Sequence, residues 1–210
     1  MRQLISTIIL SFVLISCSAN KTEDIKVKTQ IKTEGMDTIT LGAGCFWCVE
    51  AIFQDINGIE SVVSGYTNGS VKNPSYKEVC TGKTGHAEVV QLVYNPEIVS
   101  LAKILEVFFQ THNPTTLNKQ GGDYGTQYRS GIYYNNESQK EIATDIFNKL
   151  DHSGAFPNPI VTEITDLRSF YPAEDYHQDY FDVNGTQPYC TAVIRPKVEK
   201  FKKTFSNILK

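Results

Sequence analysis

Cys45 opens the one segment of this chain in which residue type and spacing together point to reactivity. Gly44-Cys45-Phe46-Trp47-Cys48-Val49-Glu50 joins a strand-like run, Thr38-Ile39-Thr40-Leu41, to a run in which Val49, Ile52, Phe53 and Ile56 recur at helical spacing. Asn57-Gly58 closes that helix. Cys45 thus falls where a strand turns into a helix. The free N–H groups and the positive end of the helix dipole there favour a thiolate. Phe46 and Trp47 follow at once, too early in the helix to be ordinary core on its buried face. A nucleophilic sulfur beside two large aromatics suits a small apolar group that carries something to react with.

Five further segments follow in order: Gly65-Tyr66-Thr67-Asn68-Gly69, Asn73-Pro74-Ser75-Tyr76, Gly85-His86-Ala87-Glu88, Asp123-Tyr124-Gly125-Thr126-Gln127-Tyr128-Arg129-Ser130 and Ala173-Glu174-Asp175-Tyr176-His177-Gln178. With Gly-Cys-Phe-Trp, and in this order, they make the chain resemble the A class of peptide methionine sulfoxide reductases. The resemblance runs from about Met36 to Pro196. It implies reduction of methionine sulfoxide, specifically the S epimer, in oxidised proteins or peptides. It also implies recycling by a thioredoxin-like reductant, with no cofactor.

In that family the matching residues are Cys45, Phe46, Trp47, Tyr76, Glu88, Asp123 and Tyr128. The resemblance gives the aromatics Phe46 and Trp47 the substrate methyl group, and gives Glu88, Tyr76 and Tyr128 the sulfoxide oxygen. The chemistry agrees. A thiolate can displace the sulfoxide oxygen only if that oxygen is protonated as it leaves, and the cysteine becomes a sulfenic acid. Glu88 begins an apolar alternating strand, Glu88-Val89-Val90-Gln91-Leu92, where desolvation would keep its carboxyl protonated. The Tyr76 and Tyr128 hydroxyls can assist in the manner of an oxyanion site. His86 is read as structural, or as a base beside Cys45. His112 is expected to end a helix, and His177 to pack around the site.

A sulfenic acid must be captured by a second thiol. Cys190, in Pro188-Tyr189-Cys190, matches the family's recycling cysteine, and Asn184-Gly185-Thr186-Gln187-Pro188 reads as a flexible segment that brings it in. Cys48 replaces the commoner glycine and makes a C-x-x-C pair with Cys45. Helical geometry is expected to hold its side chain off the line of a disulfide. Cys190 therefore leads, with Cys48 as the alternative. Cys80 is expected to be a buried thiol.

The remaining pattern sets the frame. Strands are predicted near 38–43, 59–65, 86–94, 130–134 and 160–165. A helix is predicted over 101–111 behind Ser100 as N-cap, another from Ser138 to about Gly154 with Glu141 completing a capping box, a short one over 174–183, and a last one from Pro196. The first six elements spell β-α-β-β-α-β, so the fold class is α+β: a ferredoxin-like split β-α-β core, a two-layer sandwich with extra helices. Stretches 65–85 and 112–130 lack periodicity and read as long active-site loops.

The chain has 210 residues and a formal charge of −3, which gives no electrostatic case for nucleic acid. Arg2 precedes an apolar run from Leu4 to Ile15 that ends in Leu14-Ile15-Ser16-Cys17. This reads as a lipoprotein signal over 1–16, a lipidated Cys17, a polar tether over 17–36 and the enzyme domain over 37–210. The expectation is a monomer anchored to a membrane of the bacterial cell envelope by lipid. Two other functions fit the cysteines less well. A thioredoxin-like oxidoreductase would use Cys45 and Cys48, but bulky residues separate them. A metal-binding module would use Cys45, Cys48, Cys80 and Cys190, whose spacing lacks two close pairs.

Overall fold

The computed structural model describes residues 35–210. The expectations for the signal segment, for Cys17 and for all but the end of the tether fall outside the described residues. The elements are β1 (Asp37–Ala43), α1 (Phe46–Phe53), β2 (Ile59–Thr67), α2 (Tyr76–Val79), β3 (Ala87–Tyr94), α3 (Leu101–Thr111), β4 (Lys119–Gln120), β5 (Asp123–Tyr124), β6 (Ser130–Tyr134), α4 (Glu137–Ser153), β7 (Glu163–Asp166), β8 (Phe170–Pro172), α5 (Tyr180–Asn184) and α6 (Arg195–Thr204).

The main sheet has the order β7-β6-β1-β3-β2-β8. Its centre, β6-β1-β3-β2, is antiparallel throughout and is the arrangement expected of a split β-α-β core. Strand β7 adds parallel to β6 at one edge, and β8 adds antiparallel to β2 at the other. Alternation sorts the faces. Ile39 and Leu41 of β1, Val90 and Leu92 of β3 and Ile132 of β6 pack under the helices with Val49, Ile52 and Phe53 of α1. Ala87, Val89 and Tyr133 face the other way, toward Leu167 and Phe170. Glu88 shares the helix-facing side of β3 with Val90 and Leu92.

Several local expectations are corrected. The cap of α4 is Asn136, whose side chain accepts from Gln139 N at 2.9 Å; Ser138 already lies inside the helix. The short helix over 174–183 is two pieces, a 3-10 turn at Asp175–His177 and α5, separated at Asp179, whose φ of 50° is left-handed. The last helix does not begin at Pro196. A π-helical turn, Cys190–Ile194, runs directly into α6. Cys190 is therefore buried on a helical turn and not carried on a flexible strap.

Candidate active site

The site forms where α1 starts above the end of β1. Gly44 makes the turn with φ 90°, and a Cβ there would meet the Gln120 side chain at 2.6 Å, so only glycine fits. Cys45 is the N-cap of α1 but makes no side-chain cap hydrogen bond. It is 7% exposed. The thiolate expected from the helix start is not its resting state. Burial pushes the Cys45 thiol well up, and its hydrogen bond with Cys48 and the charges of Cys48 and Glu88 push it further, against a smaller pull from the Tyr189 hydroxyl. The Cys48 thiol is held down by that same bond, against burial and with help from Lys197. The two thiols thus act on each other, one helical turn apart.

Glu88 lies beneath this turn, 1% exposed. Its Oε2 accepts from Phe46 N at 3.3 Å, and its Oε1 has no partner among the described residues. Burial pushes the carboxyl up to about 8; the Phe46 bond opposes this, and the charges of Asp123 and Cys48 add to it. At neutral pH it therefore holds a proton, as the apolar strand implied.

The two long loops deliver the remaining groups. Ser75 caps α2 with a complete capping box, which fixes Tyr76 at the first helical position. Cys80 ends that helix, exposed, with its thiol against the Tyr76 hydroxyl. It is not the buried thiol expected. The second loop folds back through the β4–β5 ladder, which places Asp123, and a 3-10 turn at Thr126–Tyr128 places Tyr128. Burial raises both the Tyr76 and Tyr128 phenols, and the Glu88 charge raises them further, so both stay protonated donors.

Phe46 and Trp47 enter an aromatic cluster. Phe46 is 1% exposed and lies 5.9 Å from the Tyr66 ring and 6.3 Å from Tyr76, centroid to centroid. Trp47 stacks on Tyr180 at 3.7 Å and 8°, and its Nε1 donates to His177 Nδ1 at 3.1 Å. His177 does more than pack, since it fixes the indole edge. His86 is structural: its Nδ1 accepts from Gly69 N at 3.1 Å and its Nε2 lies 2.7 Å from Val71 O. His112 ends α3, with Nε2 2.7 Å from Ser130 Oγ.

Three residues that the sequence showed only as members of motifs, with no role of their own, complete the site. Glu174 accepts from Tyr76 N and from the Tyr66 hydroxyl, both at 2.9 Å. Gln178 clamps the Ser64 backbone, accepting from Ser64 N and donating to Ser64 O, each at 3.0 Å. Tyr189 donates to Asp123 Oδ2 at 2.8 Å and reaches both sulfurs of the Cys45–Cys48 pair. Its place before Cys190, in a motif already read as redox-active, was the available signal. Cys190 is 0% exposed and lies within the electrostatic reach of Cys48.

The peptide methionine sulfoxide reductase family matches residues 37–209. The peptide methionine sulfoxide reductase MsrA of Trichodesmium erythraeum is 54% identical over 170 residues, covering 81% of this chain and 96% of that protein. Mxr1 from Saccharomyces cerevisiae in its reduced form superposes with a TM-score of 0.68 at 36% identity, covering 74% of this chain and 90% of that one. The same yeast protein in complex with Trx2 gives a TM-score of 0.50 at 26% identity, covering 72% and 91%. A match over nearly the whole described domain, joined to a sulfur, a protonated carboxyl and an aromatic wall in one place, shows that this chain belongs to the peptide methionine sulfoxide reductase family.

Proposed function

We propose that the chain reduces the S epimer of methionine sulfoxide in oxidised proteins or peptides, with Cys45 as nucleophile and Glu88 as proton donor. The observation that carries the assignment is the unpartnered, buried Glu88 Oε1 beneath the Cys45 turn. Phe46 and Trp47 take the methyl group, and Tyr76 and Tyr128 donate to the oxygen. The Cys45 sulfur attacks the sulfoxide sulfur, and Glu88 gives its proton to the departing oxygen. The hydroxyl so formed passes to the Cys45 sulfur as the new S–S bond breaks, which leaves methionine and a Cys45 sulfenic acid, and Glu88 regains the proton that the Cys45 thiol releases. Both groups start protonated in the resting site, so the step balances with nothing taken from solvent. Asp123 orients Tyr189 over the pair.

The placement of Cys48 one helical turn from Cys45, with each thiol acting on the other, supports Cys48 over the leading expectation, Cys190, as the residue that captures the sulfenic acid. A Cys45–Cys48 disulfide forms with loss of water. The Cys190 thiol then attacks the Cys48 sulfur and frees Cys45. A thioredoxin-like dithiol reduces the resulting Cys48–Cys190 disulfide, in keeping with a yeast relative solved with Trx2. Peptide mapping after one equivalent of separate S or R sulfoxide, without reductant, tests epimer and relay together. Methionine should form only from the S epimer. Cys190→Ser should then accumulate Cys45–Cys48, and the wild type Cys48–Cys190. Reduction of the R epimer, or a Cys45–Cys190 disulfide when Cys48 is present, would refute the respective part.

The Leu14-Ile15-Ser16-Cys17 ending supports a lipid anchor at Cys17 and residence at a membrane of the cell envelope. Mature protein from a bacterial host should begin at Cys17, carry acyl mass and partition into detergent. A retained Met1 in the intact mass would rule the anchor out.

A further inference from the structure

Glu50 is an ionisable residue placed where α1 should carry an apolar one, and burial pushes its carboxyl up to about 7 against the pull of its hydrogen bonds. It is 2% exposed, on the turn after Trp47 and Cys48. Burying a carboxylate is unfavourable unless it is hydrogen-bonded, and this one is bonded on both oxygens. Ser64 Oγ of β2 donates to Oε1 at 3.0 Å. Tyr180 N donates to Oε2 at 3.3 Å, and the Asp179 backbone N–H also reaches the carboxylate. Asp179 adopts left-handed φ to present these consecutive N–H groups, an uncommon conformation for a non-glycine residue. The segment so held begins α5 with Tyr180, whose ring lies flat on Trp47 at 3.7 Å.

We infer that Glu50 is a positioning residue for the reaction: its carboxylate ties β2 and the start of α5 to α1, and so holds Tyr180 against Trp47 and fixes the indole wall that receives the substrate methyl group. The inference rests on Trp47 serving as that wall. The hydrogen bonds of the Glu50 side chain go to Ser64 and to the start of α5, not to either cysteine. The Asp179 carboxylate faces the Glu50 carboxylate and opposes its charge, so it gives the corner no support of its own. Gln178 clamps the Ser64 backbone, but no bond of its side chain reaches Tyr180. The Trp47–His177 bond fixes the indole edge and leaves its face to Tyr180.

Trp47 is the only tryptophan in the chain, so its fluorescence reads the wall without substrate. In Glu50→Ala and in the shortened Glu50→Asp, Trp47 emission should move to longer wavelength. KM for an S-sulfoxide substrate should rise about tenfold, the scale of one aromatic pair, with the saturated single-turnover rate much less affected. Glu50→Gln keeps an acceptor for the two backbone N–H groups and can bond Ser64 through its amide, so it should recover both emission and KM. Tyr180→Ala should reproduce the Glu50→Ala phenotype, and the double variant should be no worse than either single, because one stack is lost in all three. Unmoved emission in both Glu50→Ala and Glu50→Asp, or additive losses in the double variant, would overturn the inference. Should Glu50→Ala not fold, Glu50→Asp against Glu50→Gln carries the comparison. Shifted emission with unchanged KM would overturn the functional half by removing Trp47 from the substrate site, whether or not the Cys45 chemistry stands.

Discussion

Cys45→Ser is expected to reduce sulfoxide turnover to background, even with excess dithiothreitol and in a single-turnover assay that needs no recycling. The loss should be chemical. Cys45 is the N-cap of α1, and serine is among the residues helices prefer at that position. The substitution removes one buried sulfur and changes little else in volume, so the thermal midpoint should hold or rise. A hydroxyl beside a protonated Glu88 has no base to activate it, whereas a thiol even of raised pKa supplies some thiolate and is intrinsically far more nucleophilic. The absence of dimedone-reactive sulfenic acid at position 45 should accompany the absence of methionine. Methionine formed at the wild-type rate by Cys45→Ser would end the mechanism.

The core of the sheet was legible because the apolar periods of β1, α1, β2, β3, α3 and β6 are long enough to read even across the two long loops that interrupt them. The edges were not: β8 is 3 residues long, and its pairing depends on where the Ala173–Gln178 motif docks. The reactive residues were legible from their types. Their protonation was legible for Glu88, where burial is the leading cause, and misread for Cys45. There the helix start suggested a thiolate, and burial beside a second thiol outweighs it. The long-range supports were illegible for a common reason. Glu174, His177 and Tyr189 act on groups 66 to 130 positions away, through bonds that no local pattern encodes. Cys190 was misplaced because Gly185-Thr186-Gln187-Pro188 has the composition of a hinge, yet Tyr189 is anchored on Asp123 and a π-helical turn starts at once. Such turns are frequent at functional sites. One that starts at Cys190 marks where helix geometry yields if Cys190 is to reach Cys48.

Glu88→Gln should slow sulfenic acid formation by roughly 10²–10⁴-fold, the usual worth of a general acid. Substrate binding should suffer less, since the amide still donates a hydrogen bond. The same substitution should stabilise the fold, and the sign follows from the two pKa values. The folded carboxyl sits near 8 against an ordinary 4.5. The folded protein therefore binds a proton that the unfolded chain releases anywhere between those values. Stability tied to Glu88 is full below pH 4.5, falls as pH rises and is lost through pH 8. Glutamine never ionises and escapes this loss. The variant should gain on the order of 3 kcal/mol over wild type near pH 7, and little near pH 4. Urea midpoints at the two pH values measure the difference. Slow chemistry with no pH-dependent gain would mean that Glu88 is ionised at rest. The proton would then have to reach the oxygen from Tyr76 or Tyr128. Both phenols are held protonated, but each gives up its proton far less readily than a neutral carboxyl, so the low barrier of the reductive step would be left without its donor.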